Sequence, residues 1–297
     1  MKQIVVLSGK GGTGKTSVAA ALIDLAAREK ELVIADVDVD AANLGLVLEP
    51  EQVSAAIFKS GSLAWIDPEA CSSCGECHVA CRFDAIIPPG AAGEPYRVDA
   101  LACEGCNACV YRCPVGAIST SKPVAGEWYE AATAYGPLFH AHLAAGGENS
   151  GHLVTLVRQQ ARLRALDDER PLVLIDGPPG IGCPVISAVS GADLALLVVE
   201  PTLSGAHDLE RVLATTTHFG VPAQVIINKA DLSAARAREI EVFCQEHQIP
   251  VLGQIPYDTI ITEAMVQGKN IIQYQPDGAV AKAIREIWGK IGEWLGR

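Results

Sequence analysis

Short, continuously apolar runs alternate with longer amphipathic segments along most of the chain. The pattern predicts strands at 3–8, 31–36, 172–176, 194–200, 223–228 and 251–255. It predicts helices at 15–29, 150–166, 204–219, 233–247, 260–268 and 277–295. Strands that are apolar throughout and separated by helices indicate a sheet covered on both faces. The expected fold class is therefore α/β: a doubly wound, mostly parallel sheet.

Residues 61–124 break that rhythm, with Gly, Pro and Cys in place of helical periodicity. They hold an internal repeat at an offset of 32 residues. Asp67 maps to Asp99 and Ala70 to Ala102. Cys71, Cys74, Cys77 and Cys81 map to Cys103, Cys106, Cys109 and Cys113, and Ala85-Ile86 to Ala117-Ile118. Each half is too small to hold a core alone. The expected organisation is a discontinuous domain, 1–60 and 125–297, interrupted by an inserted α+β domain at 61–124. Residues 125–149, with Tyr129, Tyr135, Phe139 and a turn at Gly146-Gly147, read as a less regular connection without assignable chemistry.

Composition narrows the function. The chain has 297 residues, 49% apolar and 20% charged, which excludes wholesale disorder. Its net charge of −12 lacks the attraction that drives non-specific nucleic-acid binding, so no nucleic-acid partner is expected. The run Leu194–Val199 is far short of the ~20 apolar residues of a membrane span. Met1-Lys2-Gln3 leads straight into apolar Ile4–Leu7 with no signal peptide, so the expected location is cytoplasmic. Of ten cysteines, eight fall between Cys71 and Cys113, and in a reducing compartment that clustering points to metal.

Gly9-Lys10-Gly11-Gly12-Thr13-Gly14-Lys15-Thr16 satisfies G-x-x-x-x-G-K-[ST] between a strand and a helix. Such a loop closes backbone N–H groups around phosphates at a helix N-terminus. Lys15 is expected on the β- and γ-phosphates and Thr16 on Mg²⁺, with Gly11, Gly12, Thr13, Gly14 and Ser17 also in the nucleotide site. With Lys10 included, the motif resembles the deviant Walker A of the MinD/Mrp/nitrogenase-iron-protein class of P-loop ATPases. The resemblance covers about 230 residues, most of the sequence outside the Cys-rich stretch. It implies a SIMIBI-type fold, ATP hydrolysis to ADP and phosphate, and a homodimer or paralogous heterodimer with nucleotide at the interface, where Lys10 reaches the partner's phosphates.

Two further stretches resemble the switches of that class. In Asp36-Val37-Asp38, Asp38 would orient the attacking water and Asp36 would help hold hydrated Mg²⁺. Asp40 is a third carboxylate, read primarily as a helix N-cap before Ala41-Ala42. Leu172–Ile175 ends on Asp176, a Walker B position for Mg²⁺, followed by Gly177-Pro178-Pro179-Gly180. Asn228-Lys229-Ala230-Asp231 suggests base recognition. N-K-x-D also reads guanine in GTPases, but the resemblance favours ATP, with Asn228 on the base. Ile255-Pro256-Tyr257-Asp258 either closes over the base or turns the chain, with Asp258 capping the next helix.

The two cysteine runs fit the C-x2-C-x2-C-x3-C spacing of two-cluster ferredoxins. Cys71, Cys74, Cys77 and Cys113 would hold one [4Fe–4S] cluster; Cys103, Cys106, Cys109 and Cys81 would hold the second. Arg82 stands where proline is usual, and zinc is the alternative metal. Cys183 follows Asp176 by seven residues, the offset of a bridging cluster ligand in nitrogenase-iron-protein-like members. It is a candidate bridging metal ligand, or else a small buried residue of a switch loop; Cys244 reads as core. The last helix spaces Val280, Ile284, Ile287, Ile291, Trp294 and Leu295 as an apolar face, read as core-packing in preference to membrane-binding.

These readings combine into an ATP-hydrolysing iron–sulfur protein. Its nucleotide-dependent dimer would be coupled to electron transfer or metallocluster transfer to a client protein. The alternative is a MinD/ParA-like positioning or scaffold ATPase with structural clusters. Cobyrinate amidases share the ATPase fold but need a glutaminase domain with a nucleophilic Cys, which these 297 residues do not provide.

Overall fold

The structure is a computed structural model that describes residues 1–144 and 150–296. Strand β1 (Lys2–Ser8) leads to helix α1 (Lys15–Ala27), β2 (Leu32–Asp36), α2 (Gly45–Leu48) and β3 (Glu51–Lys59). Then come β4 (Leu63–Ile66), α3 (Glu76–Ala80), β5 (Ile86–Ile87), β6 (Arg97–Val98), α4 (Ala108–Arg112) and β7 (Ile118–Ser121). Strands β8 (Val124–Thr133) and β9 (Gly136–Leu143) precede α5 (Ser150–Asp167), β10 (Leu172–Pro179), α6 (Cys183–Val189) and β11 (Leu194–Val199). The chain ends with α7 (Leu203–His218), β12 (Ala223–Asn228), α8 (Ala234–Glu246), β13 (Val251–Ile255), α9 (Ile260–Val266), α10 (Ile271–Tyr274) and α11 (Ala279–Trp294).

The large sheet has the order β13-β12-β11-β1-β10-β2-β9-β8-β3. From β13 to β9 every neighbouring pair is parallel. β1 lies between β10 and β11, so the loop after it opens where the chain can wind to either side, the usual ligand crevice of an α/β sheet. β1, β2 and β11 are buried almost throughout, which is why the sequence shows them as unbroken apolar runs. Three strands carry no such signal. β3 is mostly exposed along its length, and β8 and β9 mix exposed and buried positions without alternation. Residues 125–143, expected to be irregular, therefore extend the sheet, while the turn at Gly146-Gly147 lies outside the described residues. β10 also runs past Asp176 to Pro179, because Ser8 pairs with Pro179 across a register shift.

The chain divides into two compact units. The first comprises Met1–Ala56, Trp128–His142 and the residues from Ser150 onward. The second comprises Ile57–Glu127 with Leu143 and Ala144, beside the 61–124 expected from composition.

In the first unit α1 is buried on nearly all sides, and α11 lays Val280, Ile284, Ile287 and Ile291 into the same core. This is the core-packing reading of the last helix. Among the described residues no helix is long and apolar enough to cross a membrane. Gly253 in β13 lets α11 approach closely, since a Cβ there would lie 2.9 Å from Ile287 Cγ1. Ile287→Ala is expected to cost about 2–5 kcal/mol. A denaturant titration checks this, and a loss below ~0.5 kcal/mol would contradict the packing.

The second unit repeats itself in space. Ile66 pairs with Ile118, and Ile86 with Val98, so each half's first strand pairs with the other half's second strand. Asp67 N–H donates to Ala117 O at 2.8 Å, and Asp99 N–H donates to Ala85 O at 2.8 Å, the same bond 32 residues apart. The left-handed residues recur at that offset too: Ser73 and Gly105, Gly75 and Asn107, Asp84 and Gly116. Its core is small. Ala64, Ile66, Ile86 and Ile118 are buried together with Cys77 and Cys109, and Cys71, Cys81, Cys103 and Cys113 pack around them.

Candidate functional site

Gly12 and Gly14 adopt φ of 81° and 87°, the left-handed region that glycine enters without a Cβ penalty. At Gly14 space is also closed, because a Cβ would lie 2.3 Å from Asn228 Nδ2. That amide sits there because Nδ2 donates to Thr13 O at 2.7 Å. Asn228, expected on the base, thus also braces the P-loop from β12. Gly11 and Gly12 face open space. Thr13 is buried and its hydroxyl has no partner.

Behind the loop lie three carboxylates and one ammonium. Asp36, the last residue of β2, and Asp176 within β10 are register partners. Both are buried. Lys15 Nζ donates to Asp176 Oδ1 at 2.8 Å and stands 3.7 Å from Asp38 Oδ2. Asp36 accepts from Leu44 N–H at 3.0 Å and from Asp38 N–H at 3.2 Å. Burial and the neighbouring Asp176 push the Asp36 carboxyl up to about 8. Burial also raises Asp38, against the pull of Lys15. Burial alone would lower the Lys15 ammonium, but Asp176 outweighs it and holds the group above its usual range.

With only one lysine beside the carboxylates, Asp36 is driven toward its protonated form, and Asp176 Oδ2 has no hydrogen-bond partner. The donor set suits a hard divalent cation that takes oxygen ligands. Asp40 is exposed in a turn and caps no helix, since α2 begins only at Gly45; its predicted N-cap role is therefore corrected.

Beside the P-loop is a cavity of about 290 Å³, lined by Gly12, Gly14, Ser17, Asn228, Tyr257 and Asp258 among others. Asp258 lines the cavity, and its Oδ1 accepts from Ile260 N–H at 3.0 Å as α9 begins, as the turn reading expects. Asp231 does not line this cavity; its carboxylate accepts from Tyr257 N–H at 2.6 Å. One oxygen of the carboxylate that would read a guanine edge is taken up by the backbone here.

Lys10 points elsewhere. Its Nζ lies 3.2 Å from Glu200 Oε2, 3.3 Å from Ser204 Oγ and 3.4 Å from Thr202 Oγ1. Glu200 also pairs with Lys229. Sequence reading missed Glu200; its only signal was an acidic residue ending an otherwise apolar strand. Cys183 is exposed at the start of α6, which corrects the buried alternative. Cys244 is buried on α8, and burial pushes its thiol up to about 11.

In the second unit Cys71, Cys74, Cys77 and Cys113 line one small concavity, with Tyr96 and Ile118. Cys113 of the second run thus lies beside the first run. Ala117 N–H donates to Cys113 Sγ at 3.2 Å. Among the described residues no three His, Cys, Asp or Glu side chains converge into a ready-made metal-ion site. A cubane instead takes one thiolate at each of four separate iron corners.

The sheet order, the glycine loop after β1 and the Asp at the end of β10 define a P-loop nucleotide-binding protein of mostly parallel α/β fold. The chain belongs to the CobQ/CobB/MinD/ParA nucleotide binding domain family, whose model matches residues 4–271. An uncharacterized protein of Methanocaldococcus jannaschii is 30% identical over 293 residues, covering 99% of this chain and 97% of the relative. An uncharacterized ATP-binding protein of the same organism is 25% identical over 294 residues, covering 97% of this chain and 86% of the relative. The solved septum site-determining protein MinD of Pyrococcus horikoshii, complexed with Mg-ADP, superposes with a TM-score of 0.61. It is 20% identical, and the match covers 99% of this chain and 97% of that one.

Proposed function

We propose that this chain is an ATP-hydrolysing switch that dimerises around nucleotide and whose second unit holds two [4Fe–4S] clusters. The observation that carries the first part is the buried Lys15–Asp176–Asp36 group, with half-buried Asp38 beside it, directly behind the glycine loop. In this reading Gly11–Thr16 cradle the phosphates and Lys15 leaves Asp176 to neutralise them. Thr16, Asp36 and Asp176 would hold Mg²⁺, which supplies charge neutralisation on the phosphates. Asp38, its carboxyl raised by burial, accepts a proton from the attacking water and orients it. Asn228 and Tyr257 border the base, and ATP is favoured over GTP because Asp231 is turned to the backbone. Lys10 reaches the partner subunit's nucleotide, in a homodimer or a paralogous heterodimer. Phosphate release with ATP and with GTP tests the base preference, and faster turnover of GTP would reverse it.

What supports the clusters is the eight-cysteine repeat, its two-fold strand pairing and the shared concavity of Cys71, Cys74, Cys77 and Cys113. Cys81 with Cys103, Cys106 and Cys109 would form the symmetric site. The residues fit the group, whose chemistry is one-electron transfer. Their use divides two readings. Family and fold neighbours favour the MinD/ParA-like positioning or scaffold ATPase, with clusters that hold the insert together. Electron or metallocluster transfer to a client protein rests on the cysteine geometry, and Cys183 would then be the exposed candidate for a bridging metal.

A direct discriminator is the rate at which oxidised methyl viologen draws electrons from the reduced clusters. A rate that changes at least tenfold during ATP turnover supports the transfer reading; identical rates with and without ATP leave the scaffold reading.

A further inference from the structure

We propose that Asp24 is a positioning residue for the nucleoside end of the nucleotide. From inside α1 it holds Asn270, and through Asn270 the Lys269–Ile271 wall of the cavity beside the P-loop. This role rests on the base occupying that cavity, and it falls to a residue outside every nucleotide motif of the chain.

Asp24 lies in the second half of α1 and is 3% exposed. A carboxylate with so little water needs compensation. Three groups supply it: Arg28 Nη2 lies 2.6 Å from Oδ1, while Oδ2 accepts from Asn270 Nδ2 at 3.1 Å and from the Tyr135 hydroxyl at 3.4 Å. Asn270 Nδ2 also donates to the Tyr135 oxygen at 3.3 Å, so Asp24, Asn270 and Tyr135 close a ring. Burial and the adjacent Asp24 push the Tyr135 phenol up to about 12, so it keeps the proton that it donates.

Asn270 is buried as well, and its amide has one usable orientation. A carboxylate only accepts, so Nδ2 faces Asp24 and Oδ1 is left for α10. There Oδ1 accepts from Ile272 N–H at 2.9 Å and from Gln273 N–H at 3.1 Å. Gln273 Oε1 accepts in return from Asn270 N–H at 3.3 Å, which completes a capping box. On the other side, Lys269 N–H donates to Ala264 O at 2.9 Å as α9 ends. The link between α9 and α10 is therefore pinned at one end by α9 and at the other by Asp24. Lys269, Asn270 and Ile271 line the cavity, and so do Ser17 and Val18 of α1. One buried carboxylate thus sets the spacing between two walls of the cavity.

Exchanging the two side chains isolates this contact. Asn270→Asp keeps the helix cap, because Asp caps as well as Asn, but sets two buried carboxylates against each other. Adding Asp24→Asn restores one donor facing one carboxylate, with the roles reversed.

The test is calorimetry on the full chain, comparing Mg-ADP with Mg-tripolyphosphate, which carries phosphates and no base. N270D is expected to lower the ratio of ADP to tripolyphosphate affinity about tenfold, and D24N/N270D to return it to within about twofold of the wild type. A change that only loosened the fold would weaken both ligands alike and leave the ratio unmoved. Tyr135→Phe removes both hydroxyl contacts, should lower the ratio about threefold, and serves if N270D does not fold. An unchanged ratio in these variants, or no recovery in D24N/N270D, overturns the proposal while leaving the nucleotide site intact. Failure of the wild type to bind Mg-ADP overturns the nucleotide reading and this inference together.

Discussion

Lys15→Ala is expected to lower ATP turnover by about 100- to 1,000-fold, the usual cost of removing one pre-placed charge from a transition state. It should also destabilise the protein before any nucleotide is added. Asp176 is 0% exposed and Lys15 is its only ion-pair partner among the described residues. Removing one member of such a pair typically costs about 3–5 kcal/mol, because the other charge stays buried. A thermal melt should therefore show a large drop, and millimolar Mg²⁺ should restore part of it by binding the folded state. Phosphate release within threefold of wild type would remove Lys15 from its assigned role. An unchanged melting temperature would mean that the Lys15–Asp176 pair does not carry the charge balance described above.

The cysteine substitutions have the second largest expected effect, and their grouping matters more than their size. Anaerobically purified protein should carry about eight iron and eight sulfide per chain. Cys71→Ser and Cys113→Ser, 42 residues apart (113 − 71), should remove the same cluster and halve the iron. Cys81→Ser, although it lies in the first run, should instead group with Cys103→Ser. The two groups should differ in the EPR signal that survives. Grouping by run, Cys81 with Cys71, would contradict the crossed ligation that the concavity around Cys113 supports. Zinc in place of iron would overturn the cluster reading. Loss of either cluster should also open the second unit to protease, since Ala64, Ile66, Ile86 and Ile118 alone make too small a core.

Several features were legible in the sequence because local physics determines them. The strands between Lys2 and Ile255 that lie inside the sheet have both faces covered, so they appear as apolar runs whatever their neighbours. The glycine loop was legible because a left-handed backbone demands glycine at Gly12 and Gly14. The helix boundaries at Lys15, Ser150, Ala234 and Ile260 fell within one or two residues of the pattern. The edge strand β3 and its neighbours β8 and β9 were not legible, because a half-exposed strand is set by what it pairs with. The cap role expected of Asp40 failed for a related reason: the chain turns there without starting a helix.

By itself the sequence determined the α/β class, the P-loop and the family of Asp residues around it, and the pairing of two cysteine runs by an exact offset. Periodicity, backbone conformation and repeat spacing are properties of neighbouring residues, so they survive without coordinates. Only the tertiary structure decided which charges meet. Lys15 and Asp176 are 161 residues apart and share a 2.8 Å bond. Glu200 gathers Lys10 and Lys229 from two distant loops. Asp231 Oδ1 accepts from Tyr257 N–H and does not line the cavity beside the P-loop. Such contacts depend on which strands lie side by side and on how much water is excluded between them, and both are fixed only when the sheet closes.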